Sequence, residues 1–373
     1  MIEVKPVRTH RQRSQFIGFP LALYKGNPYF VPNLYGEEKK LFSPRYFYYE
    51  SSQAEHFLAY DGGKVVGRIE AILNFASNGK WRQKRVRFNR FDAIDDPRVA
   101  ASLFGALEKW ALAKGMDEIV GPLGFSDMER EGLLIEGFDQ LSTYEEQYNY
   151  AYYQNLIEAQ GYRKEADWTE RKVFAPESID PRYHDISRLV MKRLNLHFAV
   201  IKSARQLFRD YGDAFFDIVD ETYRDIYMTV PFTERQRKSM IASFKMILDP
   251  KYLSLILDGS GECVAFGLCF PSLSKAVQKS GGRLTPACLV RLLHDIKRPK
   301  VLDMGLIGVR PDYRNTGIEW GFLSMVMDIL GSGGVEYAET NLNLDGNLEI
   351  KNTWDRFKTV FHKRRRSYVK KIR

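Results

Sequence analysis

The stretch VLDMGLIGVRPDYRNTGIEWGFLSMVMDIL, Val301 to Leu330, decides the fold of this chain. Its apolar start, Val301 to Val309, is short and rich in branched residues, which predicts a buried strand. From Ile318 to Leu330 apolar residues recur at helical spacing, and the turn before them carries Arg310 and Arg314. Such a turn presents free backbone N–H groups and the positive end of a helix dipole, so the stretch predicts an anion site.

The segment VRPDYRNTGI within it resembles the acyl-CoA pyrophosphate loop of GNAT N-acyltransferases, whose core pattern is Arg/Gln-x-x-Gly-x-Gly/Ala. Arg314 and Gly317 match the pattern, and Glu319 stands where the family has Gly or Ala. The resemblance implies that the loop binds the diphosphate of acyl-CoA. The alternative is an ordinary strand-turn-helix corner with solvated arginines. The residues that the resemblance assigns to the cofactor are Val309, Arg310, Arg314, Asn315, Thr316, Gly317 and Ile318.

The length and composition bound the class of protein. A chain of 373 residues predicts two domains. No apolar run approaches the ~20 residues that span a bilayer, and Met1 to Arg13 is too polar for a signal peptide. Cys263 and Cys269 lie roughly 20 Å apart on one predicted strand, too far for a disulfide, which fits a reducing compartment. We therefore expect a cytoplasmic protein, or one peripheral to the inner face of the membrane. The six histidines show no ligand spacing, and we expect no metal site.

The net charge is +9, and the basic runs of the chain include Lys80 to Arg90 and His362 to Arg373. Three partners could explain them: CoA phosphates, nucleic acid or anionic lipid. The alternative for either run is a solvated basic face.

The order of elements in the first half is helix, hairpin, strand, helix, strand, helix, strand, which is the order of a GNAT domain, and the second half repeats it. The fold class predicted is α/β (α+β), with two tandem GNAT-like domains, each a mixed central sheet flanked by helices. We divide the chain into residues 1–174, a linker over 175–186, and residues 187–373. The turn from Ala93 to Val99 has no Gly and carries two carboxylates, so the first domain has a degenerate CoA loop. Other predicted elements are one long helix over Ala204–Tyr227, a strand over Val335–Leu342, a helix over Leu348–Lys358 and a last strand over Ser367–Ile372.

A second resemblance lies in residues 121–153, GPLGFSDMEREGLLIEGFDQLSTYEEQYNYAYY. The patterns Gly-Pro-x-x-Phe-Ser, Gly-Leu-Leu-x-x-Gly-Phe-Asp and Tyr-Asn-x-x-Tyr-Tyr resemble the signature of one tandem-GNAT group of N-acetyltransferases. That group includes bacterial ceramide synthases, which acylate a sphingoid base from acyl-CoA. The chain departs from the group at Met128-Glu129-Arg130, where Asn-Asp-Glu is expected, so the acidic group falls at Glu129 or Glu131.

The chemistry implied needs a base, an acid and groups that orient the acceptor. Amide formation from a thioester requires a neutral amine, so a carboxylate must accept its proton. Glu339 and Asp303, on the strands flanking the loop helix, are candidates in the second half, and Glu129 is the candidate in the first. The position seven residues after Asn347 is Trp354, so the Tyr acid that GNAT enzymes usually carry there is absent. The remaining candidates are Tyr152 as an acid, with Ser126, Tyr148, Asn149 and Tyr153 around the substrate.

Together these features predict an acyl-CoA-dependent N-acyltransferase with a long-chain amine as acceptor. Two alternatives stay open: aminoacyl transfer from charged tRNA, and a non-catalytic acyl-CoA-binding protein. DNA binding is disfavoured, because the charge is spread and neither a helix-turn-helix nor zinc spacing occurs.

Overall fold

A computed structural model describes residues 1–175, 177, 180–346, 354 and 357–373. The described strands form one mixed sheet that crosses both halves of the chain. The strands of the first half are β1 (Glu3–Pro6), β2 (Ser52–Asp61), β3 (Lys64–Asn74), β4 (Arg85–Ala93), β5 (Glu118–Gly121), β6 (Leu133–Glu136) and β7 (Arg163–Phe174). Those of the second half are β8 (His197–Phe198), β9 (Leu253–Leu257), β10 (Cys263–Pro271), β11 (Val301–Val309), β12 (Tyr337–Glu339), β13 (Asn343–Leu344) and β14 (Lys358–Lys371).

Helices flank this sheet. The first half contributes α1 (His10–Leu23), α2 (Tyr35–Lys40), α3 (Phe75–Trp81), α4 (Pro97–Ala113) and α5 (Tyr152–Glu158). The rest of the described chain contributes α6 (Arg182–Arg193), α7 (Ala204–Asp210), α8 (Gly212–Thr222), α9 (Glu234–Ile247), α10 (Ser274–Lys279), α11 (Pro286–Lys297) and α12 (Glu319–Gly331). Within the described residues, no helix is both long enough and apolar enough to cross a lipid bilayer.

Local sequence signals fix several of these helices where the sequence predicts them. Thr9 and Gln12 form a capping box at the start of α1, and Thr233 and Gln236 do the same for α9. Asp96 caps α4, whose first residue is a proline. These caps satisfy N–H groups that a helix start leaves without partners.

The last strand of the chain completes the sheet of the first half. The order is β1-β2-β3-β4-β5-β14-β7-β12-β11-β10-β9-β8, so β14 lies between β5 and β7. β14 begins at Lys358, nine residues earlier than the predicted strand. The predicted helix Leu348–Lys358 falls largely outside the described residues, as does Asn347, and Lys358 itself is in β14. The division at residues 174 and 187 stays a prediction, because the sheet continues across it.

Two further elements differ from the sequence-based prediction. The predicted helix Ala204–Tyr227 is broken into α7 and α8 at Tyr211, whose φ of −132° leaves the helical region. The break lets Phe208 and Phe215, on either side of it, pack against Phe266 of β10 in one cluster. The predicted strand Val335–Leu342 is reduced to β12, because beyond Glu339 the chain leaves its parallel partner β11.

Candidate functional site

A cavity of about 220 Å³ opens where β4 and β5 diverge. The two strands run parallel and pair only over residues 85–87 and 118–120. Beyond that point β4 keeps β3 as a partner but has lost β5, and the loop after β5 turns back beside it. Asn89 Nδ2 donates to the carbonyl of Arg130 at 3.1 Å and so ties the loop to the strand. The splayed strands and this loop form the floor of the cavity.

The wall of the cavity is aromatic and its floor is charged. The charged side chains that line the cavity are Glu38, Asp92, Glu129, Glu145, Arg68, Arg90 and Arg130, with Glu37 at its exposed rim. The aromatic side chains are Phe30, Tyr35, Tyr46, Phe47, Tyr48, Tyr144 and Tyr148. Apolar and aromatic side chains with convergent polar groups line the usual small-molecule site, and this cavity carries more charge than most. This lining suits a ligand with a polar head and an apolar body.

Arg90 is the centre of the charged floor. Its Nε donates to Glu38 at 3.0 Å and its Nη1 donates to Glu70. Burial alone would raise the pKa of Glu70, but Arg90 and His56 outweigh it and hold that pKa at about 2. Arg90 and Arg68 likewise overcome burial and lower the pKa of Glu38. These two carboxylates are therefore ionised and occupied by their partners.

Glu129 differs from these carboxylates. Burial raises the pKa of Glu129, and the attraction of Arg90 does not reverse the shift. Its Oε2 accepts the backbone N–H of Phe125 at 2.7 Å, which fixes the side chain. Its Oε1 lies 3.4 Å from the Tyr46 hydroxyl and 3.5 Å from Arg90 Nη2. These long contacts leave Oε1 able to accept a proton from a ligand in the cavity.

Of the four predicted substrate-contacting residues, Tyr148 lines this cavity, and Ser126 is buried behind a residue that lines it. The Ser126 hydroxyl is 2.8 Å from that of Tyr48, which lines the wall. Tyr148 lines the wall directly, and its hydroxyl donates to the carbonyl of Phe138 at 3.0 Å. Tyr148 therefore offers its ring rather than its hydroxyl.

The other predicted residues of that segment hold the framework. Asn149 is buried and forms hydrogen bonds with both the N–H and the carbonyl of Leu134, so it acts as a strand partner for β6. The Tyr152 hydroxyl donates to the carbonyl of Ala93 at 2.7 Å. The Tyr153 hydroxyl accepts the N–H of the same residue at 3.1 Å. Both tyrosines thus fix the end of β4, and burial raises the pKa of both.

The predicted pyrophosphate loop is a strand-turn-helix corner in the second half. Gly317 adopts φ +92°, and a Cβ there would lie 3.3 Å from Val190 of α6. Within the described chain, the amides of residues 315–318 donate to no backbone acceptor. Arg310 is paired with Asp312 at 2.8 Å, and Arg314 Nε donates to the carbonyl of Val309 at 3.3 Å. The loop therefore offers free amides, while one of its two arginines is already paired with a carboxylate. Three further predicted residues lie on this loop. Asn315 has a φ of +59°, the Thr316 hydroxyl donates to the carbonyl of Tyr313, and Ile318 is buried.

Asp303 and Glu339 are brought together, away from the cavity. They face each other in the register of β11 and β12. Lys363 donates to Glu339. Burial alone would raise the pKa of Glu339, but the charges of Lys363 and His362 outweigh burial and lower it to about 2. Burial raises the pKa of Asp303 well above its usual range, and the charge of Glu339 adds to the shift. Glu339 is thus a weak base, and Asp303 is harder to ionise than an ordinary carboxyl group.

The same network holds a group of potential metal ligands. Ligand atoms of Glu170, Glu339 and His362 lie within 4.8 Å of one another. The Lys363 ammonium, however, bonds both carboxylates, at 3.1 Å from Glu170. The lysine therefore already supplies the positive charge that a metal ion would bring.

Both basic runs are used largely inside the molecule. Arg85 pairs with Glu118 at 2.7 Å, and Arg87 is buried and donates to three backbone or hydroxyl oxygens. In the C-terminal run, Lys363 and Arg365 are fully buried. Other members of that run pair with Asp167, Asp345, Glu108 and Asp117. The buried members of both runs are therefore not available to an external anionic partner.

The cavity is connected to the second half by Met128. This residue lines the cavity and also packs against the cluster that includes Leu306 of β11. From Leu306 the strand runs roughly 10 Å to Val309, at ~3.3 Å per residue, where the predicted pyrophosphate loop begins. Met128 thus links the cavity to the apolar cluster from which β11 leads toward the loop.

The sequence alone did not identify Glu38, Glu70, Arg90 or Asp92 as site residues. In the sequence Arg90 is one residue of a basic run. In the structure its φ of +46°, at a bulge in β4, turns it toward the cavity. The alternation of Arg85, Arg87 and Asn89 with apolar residues was the available signal, since it indicates a strand with one polar face.

Comparisons with known proteins agree with this architecture. A tandem GNAT protein from the clavulanic acid biosynthesis pathway superposes with a TM-score of 0.55 at 10% identity, over 100% of this chain and 99% of the other. A GCN5-related N-acetyltransferase from Sphaerobacter thermophilus does so with a TM-score of 0.53 at 13% identity, over 100% and 96%. The fold is that of the tandem GNAT proteins. The predicted fold class is therefore confirmed.

Two curated proteins are similar over nearly their whole length. Protein YghO of Escherichia coli is 27% identical over 96% of this chain and 92% of its own. The bacterial ceramide synthase of Caulobacter vibrioides is 25% identical over 100% of this chain and 98% of its own. No protein-family model matches the sequence. The likeness to the group that includes bacterial ceramide synthases is thus confirmed, and it agrees with the prediction of an N-acyltransferase.

Proposed function

We propose that the protein transfers an acyl group from acyl-CoA to a long-chain amine of the sphingoid type. The tandem GNAT fold and the likeness to a bacterial ceramide synthase support acyl transfer. The observation that carries the proposal is Glu129, a carboxyl group with a raised pKa on the floor of an aromatic-walled cavity. A carboxylate whose pKa is shifted toward neutrality is a better proton acceptor at physiological pH than an ordinary one.

In this proposal the amine head group lies on the charged floor and its hydrocarbon chain lies along the aromatic wall. The amine nitrogen attacks the thioester carbonyl, the carbon–sulfur bond breaks, and the products are an amide and free CoA thiol. Glu129 accepts the proton that the nitrogen loses, and that proton leaves with the thiolate. Arg90 is held by Glu38 and Glu70. Its longer contact with Glu129 keeps that side chain in place and leaves it free to accept a proton.

Acyl-CoA would be held by the loop of residues 310–318 and would supply the activated acyl group. The loop fits an anionic diphosphate because its amides at residues 315–318 have no backbone acceptor in the described chain. Arg314, which among the described residues donates to the backbone carbonyl of Val309, adds a cation. The earlier candidates Glu339 and Asp303 do not line the cavity, and the pKa of Glu339 is low, so Glu129 is the better base.

The test is a purified-protein assay with acyl-CoA of two to eighteen carbons and a panel of amines, among them a sphingoid base. Release of CoA thiol and formation of the amide, followed by mass spectrometry, should both depend on the amine. Activity that survives ribonuclease treatment excludes the tRNA-dependent alternative. Tight acyl-CoA binding without amide formation for any acceptor would instead identify a binding protein.

A further inference from the structure

Helix α11 carries an apolar face that no other part of the described structure covers. Its inner face, with Cys288, Leu292 and Ile296, packs toward α10 and the segment around Val31. On its outer face Leu289, Val290 and Leu293 are 47%, 68% and 59% exposed. These three share one side of a helix, since they are spaced by three and four residues. Leu284, just before the helix, is 54% exposed as well.

The segment that carries this apolar face is rich in exposed cations. Between residues 275 and 300 the chain carries seven Lys or Arg side chains, all exposed, against one carboxylate, Asp295. Within the described residues none of the seven forms an ion pair. This contrasts with the two basic runs of the sequence, whose side chains are largely paired or buried. The seven cations are Lys275, Lys279, Arg283, Arg291, Lys297, Arg298 and Lys300.

The helix adjoins the mouth of the cavity. Arg283 lies over the ring of Tyr35, 4.4 Å from its centroid, and Tyr35 lines the cavity. The N–H of Tyr35 donates to the carbonyl of Gly282 at 2.8 Å. Leu292 and Ile296 belong to the same apolar cluster as Tyr144, another wall residue. A surface bound to α11 would therefore lie close to the cavity entrance.

We propose that α11 is a membrane-docking helix. Its apolar face enters the surface of an anionic lipid bilayer, and the surrounding lysines and arginines bind lipid phosphates. An amphipathic helix with cations beside an apolar face is suited to lie in the plane of such a surface. The cavity mouth is then held at the lipid surface, where an amphiphilic amine is dissolved.

Charge and hydrophobicity together favour a bilayer over other partners. A second copy of the chain would place two surfaces of the same positive charge against each other, which costs free energy. A nucleic acid would pair with the cations but would leave the central leucines and valine against phosphates. An anionic bilayer satisfies both parts of the surface, because it offers phosphates above and acyl chains below.

The experiment is flotation of the whole protein with phosphatidylcholine vesicles, with and without ~30% phosphatidylglycerol, at low and high salt. We expect binding to the anionic vesicles only, weakened by salt as screening increases. The double variant V290D/L293D should reduce the bound fraction at least tenfold. Its matched control is L189D/V200D, which alters two exposed apolar residues on other elements and should bind as the parent does.

A second pair of variants tests the cations. R291Q/K297Q/R298Q should bind anionic vesicles several-fold more weakly and with less salt dependence. K64Q/K109Q/K192Q removes the same charge from other exposed positions and should have a smaller effect. Equal binding by the α11 variants and their controls, or no binding by the parent protein, overturns the proposal. So does a change in oligomeric mass with V290D/L293D and unchanged vesicle binding, since the face is then an interface between copies.

These measurements use neither acyl-CoA nor amine, so they are independent of the proposed catalysis. A protein that binds vesicles but makes no amide supports the docking helix and counts against the proposed function. Amide formation with water-soluble substrates and no vesicle binding would support the proposed function and overturn the docking helix. The activity of V290D/L293D on water-soluble substrates should remain that of the parent.

Discussion

The Nη2 atom of Arg90 lies 3.5 Å from Oε1 of Glu129, at the limit of an ion pair. The same guanidinium binds Glu38 and Glu70 more closely, so it stabilises the ionised form of those two carboxylates more than that of Glu129. The pKa of Glu129 is consequently raised by burial while that of Glu70 is lowered. One arginine thus separates two structural carboxylates from one that can exchange a proton.

The first prediction concerns Glu129 itself. Glu129→Gln keeps the size of the side chain and removes its basicity, so we expect kcat to fall by about 10² to 10³. The parent enzyme should lose kcat/KM as pH falls through the raised pKa of Glu129, because the protonated carboxyl cannot accept a proton. Glu37→Gln, at the exposed rim of the cavity, is the control and should stay within about twofold. Full activity of Glu129→Gln would exclude this residue as the base.

A second prediction concerns the loop before α12. Gly317→Ala places a side chain at φ +92° and 3.3 Å from Val190, and we expect a loss of about 1 kcal/mol of stability and weaker acyl-CoA binding. Gly333→Ala has a similar positive φ, +76°, with open space around it, and should cost stability alone. Calorimetric titration with acyl-CoA distinguishes a loss of binding from a loss of stability in these two variants. Unchanged affinity in Gly317→Ala, with stability lost, would place the CoA site elsewhere.

The buried lysine of β14 provides a third prediction. Lys363→Met leaves the carboxylates of Glu170 and Glu339 without their common cation, and breaking a buried pair in this way costs about 3–5 kcal/mol. Lys358→Met, on the exposed start of the same strand, is the matched control and should change stability by less than about 0.5 kcal/mol. Chemical denaturation measures both. A similar small loss in the two variants would contradict the network.

The position of β14 leads to a fourth prediction. A chain that ends at residue 174 has the predicted boundary of the first domain but lacks the strand between β5 and β7. Both strands then present unpaired edges, and we expect no cooperative unfolding transition. Adding residues 358–373 through a flexible linker should restore one, as measured by thermal melting. Cooperative folding of residues 1–174 alone would show that β14 is dispensable.

The fifth prediction is the pH dependence of stability. The pKa values of Glu70 and Glu339 are held at about 2, below the ordinary value of 4.5, so both ion pairs stabilise the fold above about pH 4.5. Their contribution is lost as pH falls toward 2, since the unfolded chain then binds protons more readily. Glu70→Gln should be much less stable than the parent at pH 6 and nearly equal to it near pH 2. Glu3→Gln, in an exposed pair, should differ little from the parent at either pH.

The sequence by itself determined the fold class and several of its elements. Apolar periodicity placed the strand Val301–Val309 and the helix that follows it, and the capping residues Thr233 and Asp96 fixed where helices begin. These signals are local, because they depend on residues within three or four positions. The resemblance of residues 309–318 to a GNAT loop, together with the order of the elements, predicted a tandem GNAT fold, which the solved structures confirm.

The site was decided by the tertiary structure. Glu129 could be named from the sequence, but its raised pKa depends on Arg90 being occupied by Glu38 and Glu70, which lie far from it along the chain. Glu339 and Lys363 likewise meet only because β14 returns to the middle of the sheet. Burial and pairing of charges are properties of side chains brought together by strand order, and the local pattern of a sequence does not contain them.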